Sequence, residues 1–186
     1  EKHPTGSLQG VLLYICYTLL LLYITDAYCT RYIENGRNAF AGCPNIIEVS
    51  LPNSLKRIDS YAFHNCFNLR NIFFDGETSI GENAFSGTEY YNNKANWDNS
   101  NSFCKALYIH KILIEVVSNN FGEFVFQAKD GTTGVADNAF SNIKSLTSVI
   151  LPHSLLRIGR GAFLGCKNLK EVFYNKQKII GLIADY

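Results

Sequence analysis

A twelve-residue pattern that occurs twice constrains this chain more than any other feature. "IDSYAFHNCFNL" at 58–69 returns as "IGRGAFLGCKNL" at 158–169. Aligned on the 23-residue spacing between Cys43 and Cys66, the sequence forms four full rows and the start of a fifth at 81: 36–58, 59–80, 136–158 and 159–181. Repeats of this length predict a solenoid, because no row can bury its apolar face alone and stacked rows share one core.

Each row carries an Ala–Phe pair at the same place. The alanines are Ala39, Ala62, Ala84, Ala139 and Ala162, and the phenylalanines are Phe40, Phe63, Phe85, Phe140 and Phe163. A large ring beside a small residue in every row predicts a column of rings, each packed on the next, with alanine leaving the space for it.

Cysteine follows the pair by three residues in three of the rows, at Cys43, Cys66 and Cys166. The same position holds Thr88 and Ile143 in the other two. A catalytic or metal-binding position would not become isoleucine, whereas a buried thiol packs as a small hydrophobe. We therefore interpret these cysteines as core residues and expect free thiols, although the spacing of neighbouring strands, about 4.8 Å, would also permit a Cys43–Cys66 disulfide.

The second half of each row predicts a short strand. In the first row Val49 and Leu51 alternate with polar residues, the period of a strand with one buried face. Proline then ends the strand at 51–52 and 151–152, since it cannot donate to a ladder. The sequence predicts an α/β solenoid in which short parallel strands stack along one side and the Ala–Phe corners are short helices or irregular turns.

The rows are interrupted between two blocks, 36–88 and 135–186. Within the interruption, 89–134, "LYIHKILI" predicts two short strands around a His110–Lys111 turn, and "EFVFQ" at 123–127 predicts another. We interpret the segment as a small antiparallel β element set into the solenoid, either as decoration or as a specificity element.

The first 35 residues match neither the rows nor the interruption. The run "VLLYICYTLLLLYI" at 11–24 has fourteen residues without a charge. This length is typical of a secretory signal, with small residues that favour cleavage after Ala27, and a membrane anchor is the related possibility. The alternatives are a buried cap over the first row, which solenoids need, and an artefact of gene prediction.

Enzymatic, metal and nucleic-acid functions find little support. There is no glycine-rich phosphate loop, nucleophile elbow or metalloprotease motif, and a Cys104–His110 pair lacks any orienting motif. Asp98, Asn99 and Asn101 offer too few carboxylates for calcium. With 17 Lys and Arg against 16 Asp and Glu, the overall charge does not predict a nucleic-acid partner. We expect no catalytic residues, no cofactor and no metal.

The sequence "NAFAGCPNIIEVSLPNSLKRIDSYAFHNCFNL" resembles the BspA-like leucine-rich repeat, and the resemblance covers 36–88 and 135–174. The segment "YYNNKANWDNSNSFCKALYIHKILI" is similar to the interruption that many such proteins carry. The resemblance implies a non-enzymatic cell-surface or secreted protein that adheres to host matrix proteins or other cells. An intracellular scaffold on the same solenoid is the alternative.

The repeat register indicates where a protein partner would bind. The positions that should face outward on the strands are Glu48, Ser50, Asn71, Phe73, Ser148, Ile150, Glu171 and Phe173. Phe73, Ile150 and Phe173 are apolar where a solvated face should be polar, which favours a contact patch. A column of cations at Arg57, Arg157 and Lys178 precedes the closing apolar residue of the rows, with Ser79 the exception.

Trp97, the only tryptophan, is a further binding candidate, although we favour the simpler interpretation of a loop whose aromatic residues tuck against the neighbouring row. We expect a monomer that meets a membrane only through an N-terminal anchor.

Overall fold

The computed structural model describes residues 21–23, 36–74, 77–119, 121–175 and 177–178. The predictions on the apolar run at 11–24 and on cleavage after Ala27 therefore lie outside the described residues, apart from one strand at Leu21–Tyr23. The chain divides into two compact units, Glu1–Lys94 and Ala95–Tyr186.

The described residues of the first unit form five short strands and one helix. They are β1 (Leu21–Tyr23), β2 (Glu48–Ser50), β3 (Arg57–Ile58), β4 (Asn71–Phe73), β5 (Ser79–Ile80) and α1 (Glu89–Asn92). Strands β1, β2 and β4 form a parallel sheet in which Val49 pairs with Ile72, and β3 pairs in parallel with β5. A 3-10 turn at Lys94–Asn96 follows the helix.

Nine strands in two sheets are formed by the part of the second unit that the structure describes. They are β6 (Trp97–Asp98), β7 (Cys104–Ile109), β8 (Ile112–Ser118), β9 (Phe124–Gln127), β10 (Gly134–Val135), β11 (Leu146–Leu151), β12 (Arg157–Ile158), β13 (Glu171–Tyr174) and β14 (Gln177–Lys178). One sheet has the order β12-β10-β8-β7-β6 and the other β14-β13-β11-β9. As predicted, strands of successive rows are parallel neighbours, with Val149 beside Val172.

The Ala–Phe corners are turns whose backbone hydrogen bonds alternate in direction. Asn38, Phe40 and Gly42 donate their N–H groups to carbonyls of the next row at 2.7–3.2 Å, while the residues between them donate within the corner. The same ladder joins 61–65 to 82–86 and 138–142 to 160–164. Residues with positive φ, such as Asn38 (62°) and Gly42 (72°), produce this alternation.

The predicted column of rings is present in each unit. Phe63 lies between Phe40 and Phe85, with ring centroids 5.3 and 5.4 Å apart and planes within 10° of parallel. In the second unit Phe140 stacks on Phe163 at 5.1 Å. Buried alanines lie beside these rings, and the strand residues Val49, Ile72, Val149 and Val172 complete the core.

The rows fold as a solenoid, but its corners differ from the α/β description. The described residues contain one α-helix, of four residues, so the fold is a β-solenoid with turns at its corners. The reason is the ladder: an α-helix keeps every N–H within its own segment, whereas these corners send every second N–H to the next row.

The interruption contributes strands to both sheets of the second unit. Strands β7 and β8 are antiparallel around His110 and Lys111, where the sequence predicts a turn, and β6 pairs antiparallel with β7. However, β8 also pairs in parallel with β10, and β9 pairs in parallel with β11. Assigning 123–127 to a separate antiparallel element was wrong, because Phe126 aligns with Val149 as the strand of a further row.

Candidate functional site

The predicted binding positions of the first unit lie together on the outward face of its sheet. Glu48 is paired with Asn71, and Ser50 with Phe73, while Val49 and Ile72 face the core. The Asn71 amide donates to Glu48 Oε2 at 3.0 Å. Phe73 keeps 49% of its surface exposed on a strand that the core holds in place.

The second unit has an equivalent face across three strands. Ser148 is paired with Glu171, and Ile150 with Phe173, and all four are half-buried. The adjacent strand β9 adds Val125, 48% exposed and paired with Ser148. The predicted positions therefore form two strand faces, one per unit: Glu48, Ser50, Asn71 and Phe73 in the first, and Ser148, Ile150, Glu171 and Phe173 in the second.

The predicted cation column does not extend to Lys178. Arg57 lies in β3, where its Nε is 3.4 Å from Asp59, and Arg157 lies in the corresponding strand β12. Lys178 instead belongs to β14, which turns back antiparallel beside β13 and places it opposite Phe173. Its ammonium is 2.9 Å from Glu171, so it neutralises the acid on the strand face.

Trp97 lies away from the strand faces, in the other sheet of the second unit. It is half-buried in β6 and pairs with Leu107. The next residue, Asp98, bonds the backbone of Ser100 at 2.9 Å and lies 3.2 Å from the Lys129 ammonium. This ion pair fixes the loop that follows Trp97.

Asp98, Lys129 and Tyr108 form the main electrostatic cluster of the second unit. Burial alone would raise the pKa of Asp98, but hydrogen bonds from Ser100 and Lys129 and the charge of Lys129 hold it below its usual value. The Lys129 ammonium lies 4.8 Å from the centre of the Tyr108 ring. The backbone N–H of Lys129 donates to the Tyr108 hydroxyl at 3.3 Å. These contacts hold the three residues against one another, which indicates a structural role for the cluster.

The repeat cysteines are buried donors. Cys66 Sγ donates to the Phe40 carbonyl of the preceding row at 3.0 Å, and Cys166 Sγ donates to Phe140 at 2.9 Å. Burial raises the pKa of Cys66 to about 11 and raises that of Cys166. Thiols that remain protonated and buried are poor nucleophiles, so the structural interpretation of both residues holds.

Cys43 departs from the expectation of free thiols. It is disulfide-bonded, whereas Cys66, Cys104 and Cys166 are free, so the bond is not the Cys43–Cys66 bond that the row spacing would permit. Burial, with the charge of Asp98, raises the pKa of Cys104 to about 11, which makes a Cys104–His110 nucleophile pair unfavourable. Among the described residues no group of three His, Cys, Asp or Glu side chains could hold a metal ion.

Two exposed phenylalanines near β9 were missed by sequence reasoning. The side chain of Asn101 accepts from the Phe103 N–H at 2.8 Å, and that of Asn119 accepts from the Phe121 N–H at 3.1 Å. Each is an asparagine turn that presents a phenylalanine two residues on, and Phe121 is 85% exposed. The shared Asn-x-Phe spacing is the signal that could have found them.

The chain belongs to the family of the BspA type leucine rich repeat region, whose family model matches residues 31–133 and 98–182 with six copies. This membership is consistent with a role in protein interaction. No curated protein matches the chain.

Several solved structures of bacterial leucine-rich repeat proteins are similar to it. The Treponema pallidum protein TpLRR is 22% identical over 82% of this chain and 57% of its own, with a TM-score of 0.37. A leucine rich cell surface protein of Faecalibacterium prausnitzii is 18% identical over 74% of this chain and 57% of its own (TM-score 0.37). The pneumococcal vaccine antigen PcpA is 19% identical over 70% of this chain and 40% of its own (TM-score 0.38). The chain thus spans less than two thirds of each.

None of the described helices is long and apolar enough to cross a membrane.

Proposed function

We propose that this protein is a non-enzymatic recognition module that binds a protein partner at the cell surface or outside the cell, through the outward strand faces. The observation that carries the proposal is Phe73, half exposed on a strand whose alternate residue Ile72 is locked in the core. A rigid strand that presents an aromatic ring loses little conformational entropy on binding, and aromatic anchors dominate many interfaces.

Two observations support an extracellular location. The disulfide at Cys43 is of a kind that persists in oxidising compartments and is rare in the cytosol. The similar Faecalibacterium protein is described as a cell surface protein. The partner class implied by the family resemblance is a host matrix or cell-surface protein. An intracellular scaffold is the competing function, and fractionation of the native host that finds the uncleaved product in the cytosol would favour it.

The strand faces are tested by replacing one ring in each unit. We expect Phe73→Ser with Phe173→Ser to weaken binding to purified matrix and serum proteins about tenfold or more in surface plasmon resonance. We expect the free energy of unfolding to change by less than about 1 kcal/mol, because Phe73 is exposed and Phe173 half-buried.

The matched control is Phe67→Ser with Leu164→Ser. These side chains are 60% and 47% exposed but lie in corners, so binding should be unchanged. Equal loss in both pairs would show that general surface hydrophobicity drives capture. A large fall in the melting temperature of the first pair would show instead that its rings belong to the core.

Trp97 is tested separately by Trp97→Ala. Unchanged affinity with lower stability would assign it to the support of its loop, and lost affinity at unchanged stability would make it part of the binding surface.

A further inference from the structure

The charge of this chain is distributed unevenly, although its sum is only +1. Residues 136–178 contain seven lysines and arginines and two acids, a net charge of +5. Residues 36–135 contain eight lysines and arginines and ten acids, a net charge of −2. Residues 136–178 therefore form a basic block in an otherwise slightly acidic chain.

The two acids of this block already have cationic partners. Glu171 is 2.9 Å from Lys178, and Asp137 is 4.0 Å from Arg160. Three other lysines, Lys144, Lys167 and Lys170, are exposed, and none forms an ion pair with any residue that the structure describes. Their charges are available to an external anion.

The row register brings these three lysines to one edge of the second unit, where corner passes into strand. Lys144 and Lys167 occupy the same position in successive rows, between rungs that join Asn142 to Leu164 at 2.7 Å and Lys170 to Thr147 at 2.8 Å. Neighbouring rows at strand spacing place their backbones about 4.8 Å apart. Lys170 lies one short turn further along its row. We call Lys144, Lys167 and Lys170 the basic edge.

The side chains around the basic edge indicate which polyanion fits. Ser145 and Asn168 supply hydroxyl and amide groups, and Leu164 is the one large apolar side chain exposed in the described corners at 136–145 and 159–168. Single-stranded nucleic acid would need exposed aromatic rings on which bases stack. Binding at a membrane surface would need a broad apolar face beside the charges. Neither is present in these two described corners, although the exposed rings Phe103 and Phe121 lie in the segments beside β9, whose Phe124 N–H donates to the Ser145 carbonyl at 2.9 Å.

We propose that the basic edge binds a linear sulfated polysaccharide. Such a chain presents closely spaced anionic groups, and lysine ammonium groups meet sulfates as point charges without demanding one orientation. Like charges held at row spacing repel one another, and a bound polyanion relieves this repulsion. The site is distinct from the strand faces, so it adds a second kind of ligand to the proposed protein recognition.

The test compares two triple variants of the full chain on immobilised heparin, a sulfated polysaccharide. Lys144→Gln/Lys167→Gln/Lys170→Gln removes the basic edge, and Lys94→Gln/Lys105→Gln/Lys111→Gln removes the same charge from exposed lysines elsewhere. Three exposed charge contacts together should weaken heparin affinity about tenfold at physiological salt. The first triple should therefore elute at clearly lower NaCl concentration, and the control triple should elute with the unmodified protein.

Equal losses in both triples would overturn the proposal, because net charge alone would then explain binding. Failure of the unmodified protein to bind heparin at about 0.15 M NaCl, which is physiological ionic strength, would overturn it too. Oligo(dT) or phosphatidylserine vesicles that compete as well as soluble heparin would reject a polysaccharide ligand. Desulfated heparin should compete poorly.

Retention of heparin binding by Phe73→Ser/Phe173→Ser separates this site from the strand faces. Lost heparin binding in that variant, at unchanged stability, would contradict two independent surfaces. Failure of protein capture alone would leave the basic edge supported.

Discussion

At the scale of single residues, the corners depend on backbone conformations that few residue types adopt readily. Each corner has two residues with positive φ, and asparagine or glycine fills nearly all of these positions. Both types tolerate the left-handed region better than others do. Tyr61 is the exception at φ 61°, and its hydroxyl donates to Glu82 of the next row at 2.8 Å. Asparagine and glycine in these columns are therefore a requirement of the ladder.

Two glycine substitutions separate backbone conformation from row spacing. A Cβ on Gly159 would overlap the backbone of Ala136 and Asp137 in the preceding row, whereas a Cβ on Gly42 would meet nothing within 4 Å. We expect Gly42→Ala to cost about 1 kcal/mol, from its positive φ alone. We expect Gly159→Ala to cost about 3 kcal/mol, because the rows must move apart.

Urea unfolding at equilibrium measures both glycine variants. Equal costs would show that the rows separate easily at 159, contrary to the close packing described.

At this scale the sequence predicted a residue's role correctly where the repeat column alone determines that role. It failed where a residue outside the column determines it. The pattern Cys, Cys, Thr, Ile, Cys predicted buried filler, and Cys66 and Cys166 are buried free thiols. It could not predict the disulfide of Cys43, because the column offers only Cys66 and Cys166 as partners and both are free. The hydrogen bonds from cysteine thiols to carbonyl groups of the preceding row could not be predicted from the sequence either, because they depend on how far one row is displaced relative to the next.

At the scale of strands and turns, alternation located the strands but not their neighbours. The pattern "EFVFQ" fits an antiparallel hairpin and a parallel row equally well, because both require alternate buried residues. Packing decides between them: Phe126 aligns with Val149 of the next row and contacts the Phe140 ring edge to face at 5.0 Å. For the same reason Val125 was missed as part of the outward face, whereas the eight positions read from complete rows lie on the strand faces. Their role in binding remains a prediction.

The stability of the loop after Trp97 should depend on pH, because the Asp98–Lys129 ion pair holds that loop. The pKa of Asp98 is lowered in the folded protein, so its contribution to stability is present above the unfolded pKa, near 3.9, and is lost as pH falls through the lower folded value. A double-mutant cycle with Asp98→Asn and Lys129→Gln should give a coupling of roughly 0.5–1 kcal/mol at pH 7.

The same cycle at about pH 2, below the usual range of carboxylate pKa values, should give a coupling near zero. Chemical denaturation at both pH values measures it. A coupling that persists in acid would show that packing between the two side chains, and not their charges, holds the loop.

At the scale of the whole molecule, a summed charge concealed a charge distribution. Counting 17 cations against 16 anions gave no reason to predict a nucleic-acid partner, while residues 136–178 carry a net +5. Charges summed by repeat block would have revealed the asymmetry from sequence. The pairing of Glu171 with Lys178 would still have been missed, because β14 turns back on β13, whereas the sequence predicts that row 159–181 continues past Lys178 to its closing apolar residue.

The free thiols should report on opening of the molecule. Cys66, Cys104 and Cys166 are buried, and the pKa values of Cys66 and Cys104 are about 11. Iodoacetamide should therefore label them in folded protein at least about a hundredfold more slowly than a free cysteine with a pKa near 8.5. In denaturant all three should react at the rate of a free thiol.

Mass spectrometry of the labelled peptides measures each thiol separately. Rapid labelling of Cys66 at neutral pH would contradict its burial between rows. Similar protection factors for Cys66 and Cys166 would indicate that the rows around them open with similar free energies.

The hydrogen-bond ladder at the corners has a direction, because the N–H groups of each row donate to carbonyl groups of the following row. A row inserted in the opposite direction could not form these bonds. Every row consequently offers its neighbours the same pair of complementary edges. A gene segment that encodes one row can be copied in tandem without breaking a rung, so proteins of this kind can lengthen by unequal recombination in steps of one turn. Each added row lengthens the outer surface by one strand. The surface available to an extended ligand can therefore increase before any side chain changes.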